Sequence, residues 1–441
     1  MAAIDSRGER PRQGSLLLTM VTLAFMGQMI LNPVIAPLSR AMGLQEWHVG
    51  ATISCAAVAL MLASPFWGRR AQRMGVRRVL VVSMSLALCA LVAFAAVAWV
   101  GTRGLVAGPA LIIGMLLTRG VIYGGAIAAV TPTAQVHLVA HSTTEGDRVK
   151  AVGALGAMQG LASILGSVLG GVLAALGGLM FPVIVMPIMM LAGIVLLLIR
   201  FRPQPVESLI PEPRRVSFAD RRVLPFLVAG FILFLGLSAT TSVLGFAVQD
   251  RFNIVDGGQV AGITAALQFA MSMVMVLTQG GLVRKLGWGT QRLLRVGFLI
   301  ALAGAVAVAL HAGLWMMFAG CVLLGVGFGL AMPGYTAGPT NVVADDEQGG
   351  LAGVINATNG LTFAIGPVLF TTLYGVDVDV PFLGIAVLFG LGAVLAFAHP
   401  RLRGRGPRAT EEDVTEGSGG PASATGRAMT GQTMTGRGDD Q

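Results

Sequence analysis

The chain has 441 residues, 55% of them hydrophobic and only 12% charged, with a net charge of +9 at pH 7. A soluble domain carries about a quarter charged residues, so the composition excludes a soluble enzyme or binding module and selects a polytopic membrane protein. The basic surplus falls in short stretches between apolar runs, which excludes a nucleic-acid partner and reports membrane topology instead.

About 20 apolar residues cross the hydrocarbon layer as a helix. The sequence predicts an all-α membrane protein with such spans at 15–38, 48–67, 79–100, 108–139, 151–176 and 180–201, and again at 223–249, 258–283, 293–313, 314–342, 351–376 and 381–398. With a cytoplasmic N-terminus, the segment 1–14, the loops at 68–78, 140–150, 202–222, 284–292 and 343–350 and the tail 399–441 lie inside. With their helix ends they carry every Lys and Arg except Arg40, Arg103 and Arg251 outside and Arg119 within span four. That bias puts both termini in the cytoplasm of a cell whose plasma (inner) membrane holds the protein, with anionic lipid headgroups as counter-charge. Span one is too long for a signal-peptide core and reads as an uncleaved helix.

In span one, Gln28 and Asn32 lie one helical turn apart before a kink expected at Pro33. Between spans two and three, "GRRAQRMGVRR" concentrates five arginines from Arg69 to Arg78. Arg119, with Tyr123 one turn later, is the one formal charge deep in a span, and such a charge faces the bundle interior and is functional by default. The alternative is a structural arginine bonded to helix-end carbonyls. Gln159, Ser163 and Ser167 share one face of span five, Gln268 and Ser272 pair in span eight, and Asn356, Asn359 and Thr362 share a face of span eleven. These polar sets either line a cavity or bond between helices. The Gly-rich spans four, five, ten and eleven read as close-packed, sliding interfaces.

The polar stretch "RPQPVESLIPEPRRVSFADRR" divides the half at 15–201 from the half at 223–398. At an offset of 200 residues, "GALGAMQGLASILGSVL" (153–169) matches "GVINATNGLTFAIGPVL" (353–369) at Gly153/Gly353, Ala157/Ala357, Gly160/Gly360, Leu161/Leu361, Gly166/Gly366, Val168/Val368 and Leu169/Leu369. Gln159 falls opposite Asn359, and Glu145 and Asp147 fall opposite Asp345 and Glu347. Two six-helix halves repeated in parallel orientation place a substrate near the bilayer midplane and expose it by rocking.

Every Asp and Glu falls in a loop, a tail or a span end, with Glu46 and Asp250 at the outer mouth. The candidate proton carriers are therefore Asp250, Glu46, His137 and His141. Cys55, Cys89 and Cys321 lie in separate apolar spans, so neither a disulfide framework nor a metal site is expected, and no cofactor. No GxxxxGK[ST] loop is present for ATP. An integral membrane enzyme would need converging nucleophile, acid/base or metal ligands at membrane depth, which the spans lack. The tail composition predicts disorder, and its RGD at 437–439 is read as chance.

The loop "GRRAQRMGVRR" resembles the signature loop of the major facilitator superfamily through Gly68, Arg73, Gly75, Arg77 and Arg78, with Gln72 where the family has Asp. "LLTRGVIYGG" resembles the family's intramembrane-arginine motif of span four, and "LASILGSVLGG" its export motif of span five, with Ser167 in place of Pro. The resemblance is to proton-coupled drug and metabolite exporters and, more weakly, to bacterial siderophore exporters. It implies two pseudo-symmetric six-helix halves working by alternating access, protons as coupling partner, Arg119 in proton coupling or cavity electrostatics, and a central cavity bordered by the spans bearing Gln28, Asn32, Tyr123, Gln159, Ser163, Gln268, Asn356 and Asn359. It also implies that Arg73, Arg77 or Arg78 pairs with Asp345, Asp346 or Glu347 when the cytoplasmic side is closed, and the internal repeat offers a mirror contact of Glu145 or Asp147 to Arg284 or Lys285. A rival role for these acids is to favour the positive end of helix eleven. The expected protein is a monomeric secondary exporter of small amphiphilic organic molecules. An importer on the same fold and a non-transporting membrane receptor are the alternatives.

Overall fold

The computed structural model describes residues 6–140, 145–201, 216–344 and 347–403. Within them the chain is helical, and eleven helices are long and apolar enough to cross a membrane, with the shorter apolar segment Ser15–Met29 completing twelve. We number the spans α1 to α12. The first half comprises α1 (Ser6–Met29, resuming as Ile35–Ala41), α2 (Glu46–Met74), α3 (Val76–Thr102), α4 (from Pro109–Met115 to Val130–Ala140), α5 (Glu145–Gly177) and α6 (Met180–Arg200). The second comprises α7 (Leu224–Arg251), α8 (Gly257–Leu277, continuing through Thr278–Leu282 and Val283–Leu286), α9 (Thr290–Ala309), α10 (Leu314–Ala337), α11 (Gln348–Val376) and α12 (Val380–Ala398).

Span one breaks at 30–34, where the sequence predicts only a kink. Pro33 has no N–H to donate and restricts Asn32 before it. The chain crosses the gap on tighter bonds, Asn32 N–H to Met29 O at 3.1 Å and Val34 N–H to Leu31 O at 3.0 Å. Most helices extend past the predicted spans. The tightest reversal joins α2 to α3 through Gly75 alone, at φ +85° and ψ 148°, a conformation that essentially only glycine adopts. That is a physical reason for the glycine in the signature loop. At the start of α8, Asp256 Oδ1 accepts from the Gly258 N–H at 2.7 Å, an N-cap.

Small residues set the helix spacing, as membrane packing favours. A Cβ on Gly327 of α10 would lie 2.6 Å from the Ala301 nitrogen of α9, and one on Gly304 would lie 2.7 Å from the Leu324 nitrogen. In α5, a Cβ on Gly166 would lie 2.7 Å from Met26 O of α1. Not every glycine works this way: Gly125, Gly160, Gly353 and Gly360 face open space. Leu62, Leu176, Ile199, Val376 and Val394 point outward, exposed in the manner of lipid-facing side chains.

The loops sort to two ends. One end, with the turns near 42–45, 103–108 and 252–256, is poor in arginine; the other carries the turn at Gly75 and the segment 216–223. The halves meet at the arginine-poor end. There Gly50 packs under Thr371 and Pro367, the Val368 N–H donates to Ser54 Oγ at 3.1 Å, and Gly245 packs against Ala36. At the arginine-rich end Arg77 donates to Leu198 O within the first half, and Arg222 pairs with Glu347 within the second.

Candidate functional site: the central cavity and its closed end

A cavity of about 300 Å³ lies near the middle of the spans, lined from α1, α2, α4 and α11. Its wall is mostly apolar, with Phe25, Ile53, Leu60, Ile127 and Phe363 among the lining residues, and its polar groups are Gln28, Asn32, Thr52, Arg119 and Tyr123. The helix of α1 ends at Met29, one residue after Gln28, and Asn32 reaches the same wall from within the break.

Arg119 sits on a widened, π-helical turn of α4, Leu116–Ile122, a deviation frequent at functional sites. Its side chain is buried, at 8% exposure. The guanidinium stacks over the Tyr123 ring at 4.4 Å from the centroid, and its Nε has no hydrogen-bond partner. A charge at the bilayer centre costs about 2.5–3.5 kcal/mol, and a desolvated cation–π contact returns about 2 kcal/mol of it. The Tyr123 hydroxyl and Gln28 Oε1 are also buried without partners, while Asn32 Nδ2 donates only to the Met29 sulfur at 3.2 Å. No carboxylate is among the lining residues.

Beyond the cavity, at the arginine-poor end, Arg40 closes the gap between halves. Its guanidinium pairs with Asp250 of α7, one contact being 2.7 Å, and with Glu46 of its own half at 2.8 Å. The Tyr374 hydroxyl of α11 donates to Asp250 Oδ2 at 2.7 Å. Asp250 thus belongs to this closure and not to the cavity wall. Sequence reasoning marked Asp250 and Glu46 but missed Arg40 and Tyr374; an arginine between two acids that converge on one mouth was the available signal.

The remaining predicted residues scatter. Gln159 Nε2 donates to Thr131 Oγ1 at 3.0 Å within its own half, the interhelical alternative. Ser163 is half-buried and away from the cavity wall. Gln268 is buried with both amide atoms unpartnered, outside this cavity. Asn359 Oδ1 accepts from the Tyr335 hydroxyl at 3.0 Å, and Asn356 is exposed. From that face only Gly360 and Phe363 reach the cavity among the lining residues.

At the arginine-rich end, Gly68 lies on α2 near Pro132, Arg73 and Arg78 are exposed, and Arg77 donates to Leu198 O at 3.0 Å. Glu347 pairs with Arg222 at 3.1 Å. Asp345, Asp346 and His141 lie outside the described residues, as do the side chains of Glu145 and Asp147. His137 is buried against Phe201, with ring centroids 5.6 Å apart.

A two-half helical bundle closed at one end above a midspan cavity is the arrangement of a membrane transporter of small molecules. The family model described as Major Facilitator Superfamily matches residues 17–357 and, in an overlapping match, 288–432. The chain belongs to the major facilitator superfamily. It is 26% identical over 399 residues to multidrug resistance protein 2 of Bacillus subtilis (strain 168), covering 88% of this chain and 95% of that protein. It is 28% identical over 373 residues to the class G tetracycline resistance protein of Vibrio anguillarum, covering 81% and 89%. In fold it is similar to the nucleoside transporter NupG at a TM-score of 0.68 and 13% identity, over 89% of this chain and 100% of that one.

Proposed function

We propose that this protein exports small amphiphilic organic molecules from the cytoplasm by alternating access, using proton exchange as the driving force. One observation carries the reading: a mostly apolar cavity of about 300 Å³ with a few convergent polar groups, which suits ligands needing orientation more than tight coordination. The likeness to multidrug and tetracycline resistance proteins supports export, and the arginine distribution supports a cytoplasmic arginine-rich end. The state described is then the inward-facing one, closed outside by Arg40, Asp250, Glu46 and Tyr374. With no carboxylate at the cavity wall, Asp250 is the proton carrier this arrangement favours, because its protonation removes the charge that holds Arg40 across the halves. Lipid surrounds a monomer.

In the alternate state the arginine-rich end closes, and Arg73, Arg77 or Arg78 meets the segment 345–347. Exposure of Arg73 and Arg78 in the present state supports this reading. Reversing the charges of Arg73 and Asp346 together should recover the transport that each single reversal impairs.

The experiment for the whole reading compares metabolites and added drugs inside and outside cells with and without the gene, in iron-rich and iron-poor medium. Intracellular retention in the deletion strain supports export, and retention of an iron-chelating metabolite identifies a siderophore exporter. Lower intracellular levels in the deletion strain would show import instead.

A further inference from the structure

We propose that the cavity selects organic monoanions: flat apolar bodies bearing one carboxylate, which docks on Arg119. The inference rests on the export reading and deepens it. A guanidinium keeps its proton in proteins and cannot escape burial by neutralising. Arg119 is buried at 8% exposure, with its Nε unpartnered and no acid among the residues lining the cavity. The acids at the closed end do not help, since Asp250 and Glu46 are engaged with Arg40. Among the described residues its compensation is the Tyr123 ring, 4.4 Å away.

The groups beside it match a carboxylate. The Tyr123 hydroxyl is a buried donor with no acceptor, and Asn32 Nδ2 spends its contact on a thioether sulfur, a weak acceptor. Gln28 Oε1, also unpartnered, would take a hydroxyl or N–H on the same ligand. Phe25 and Phe363 add aromatic wall for the apolar body. A planar guanidinium binds a carboxylate with two parallel hydrogen bonds, a geometry an amide cannot reproduce. A monoanion also leaves the loaded cavity neutral, which lowers the cost of carrying a fixed positive charge through the low-dielectric middle of the bilayer. A cationic drug would instead meet a like charge at short range.

The test uses the full chain in lipid nanodiscs and in inside-out vesicles, with 1-naphthoate, 1-naphthamide and 1-naphthylmethylammonium, three probes that share one aromatic body. Calorimetric binding should favour naphthoate over naphthamide by about tenfold or more, the scale of one charge-assisted pair, with the ammonium weakest. Arg119→Lys should retain part of the preference and Arg119→Gln should abolish it. The assignment is overturned if naphthamide or the ammonium binds the unmodified protein as well as naphthoate does, if naphthoate does not bind, or if Arg119→Gln keeps the preference. The wild-type comparison stands even if a variant fails to fold. Vesicles separate the two readings: accumulation of naphthamide but not naphthoate leaves export standing and ends the anion assignment. Naphthoate binding without transport of any probe leaves the anion site standing and ends the export reading.

Discussion

Replacing Asp250 with asparagine should shift the protein towards the state open at the arginine-poor end. Asp250 and Tyr374 belong to the second half, Arg40 and Glu46 to the first, so opening that end must separate Arg40 from Asp250 while leaving the Arg40–Glu46 and Asp250–Tyr374 contacts intact. The side chains of Arg40 and Asp250 are 24% and 30% exposed, so water weakens the pair without dissolving it. A hydrogen bond to a charged group contributes about 1.5–3 kcal/mol, and this exposure points to the low end. Losing about 1.5 kcal/mol from the closed state alone changes the conformational equilibrium about tenfold. Spin labels at Leu105 and Trp315, both exposed on opposite halves at this end, would report the separation by double electron–electron resonance once Cys55, Cys89 and Cys321 are replaced. Asp250→Asn and Arg40→Gln should each enrich the longer distance, and Arg40→Asp with Asp250→Arg should restore the short one. An unchanged distance distribution in both single variants would refute the reasoning.

Gly50→Ala should act in the same direction by steric means, because the added Cβ would lie 2.5 Å from Pro367 O and closer still to Thr371 Oγ1 across the halves. Its label distances should lengthen while the thermal midpoint stays near wild type, since neither half's own packing changes. Gly327→Val should do the reverse, sparing the interface but forcing α9 and α10 apart at a 2.6 Å contact; overpacking costs about 1–3 kcal/mol or more, read as lower yield of monodisperse protein. At the arginine-rich end, hydrogen bonds from Arg222 hold the half-buried Asp220 carboxyl below its usual range. A depressed carboxylate stabilises the fold above its ordinary value of about 4 and stops doing so as pH falls through the lowered one. Asp220→Asn should therefore melt below wild type by the same small margin from pH 8 to pH 5, and the margin should begin to shrink as pH falls below about 4 and be lost once pH passes the lowered value.

The helical architecture follows from local constraints alone. Spans of about 20 apolar residues in water-poor lipid must be helices, because no other segment satisfies its own backbone there. The repeat at 153–169 and 353–369, the motif glycine Gly75 and the isolated charge of Arg119 were likewise legible, since each is a local constraint: a register, a φ of +85°, a charge with nowhere cheap to go. Composition could also say that Gln28, Gln159, Gln268 and Asn359 are expensive in a span. It could not say which of them share a cavity, because an amide can be satisfied by a neighbouring helix as well as by a ligand. Tertiary packing decided that. It turned Gln159 to Thr131 and Asn359 to Tyr335, while the broken α1 and the widened turn of α4 brought Gln28, Asn32, Arg119 and Tyr123 to one wall. It also joined Arg40 to Asp250, 210 positions apart, a pairing set by how the two halves meet.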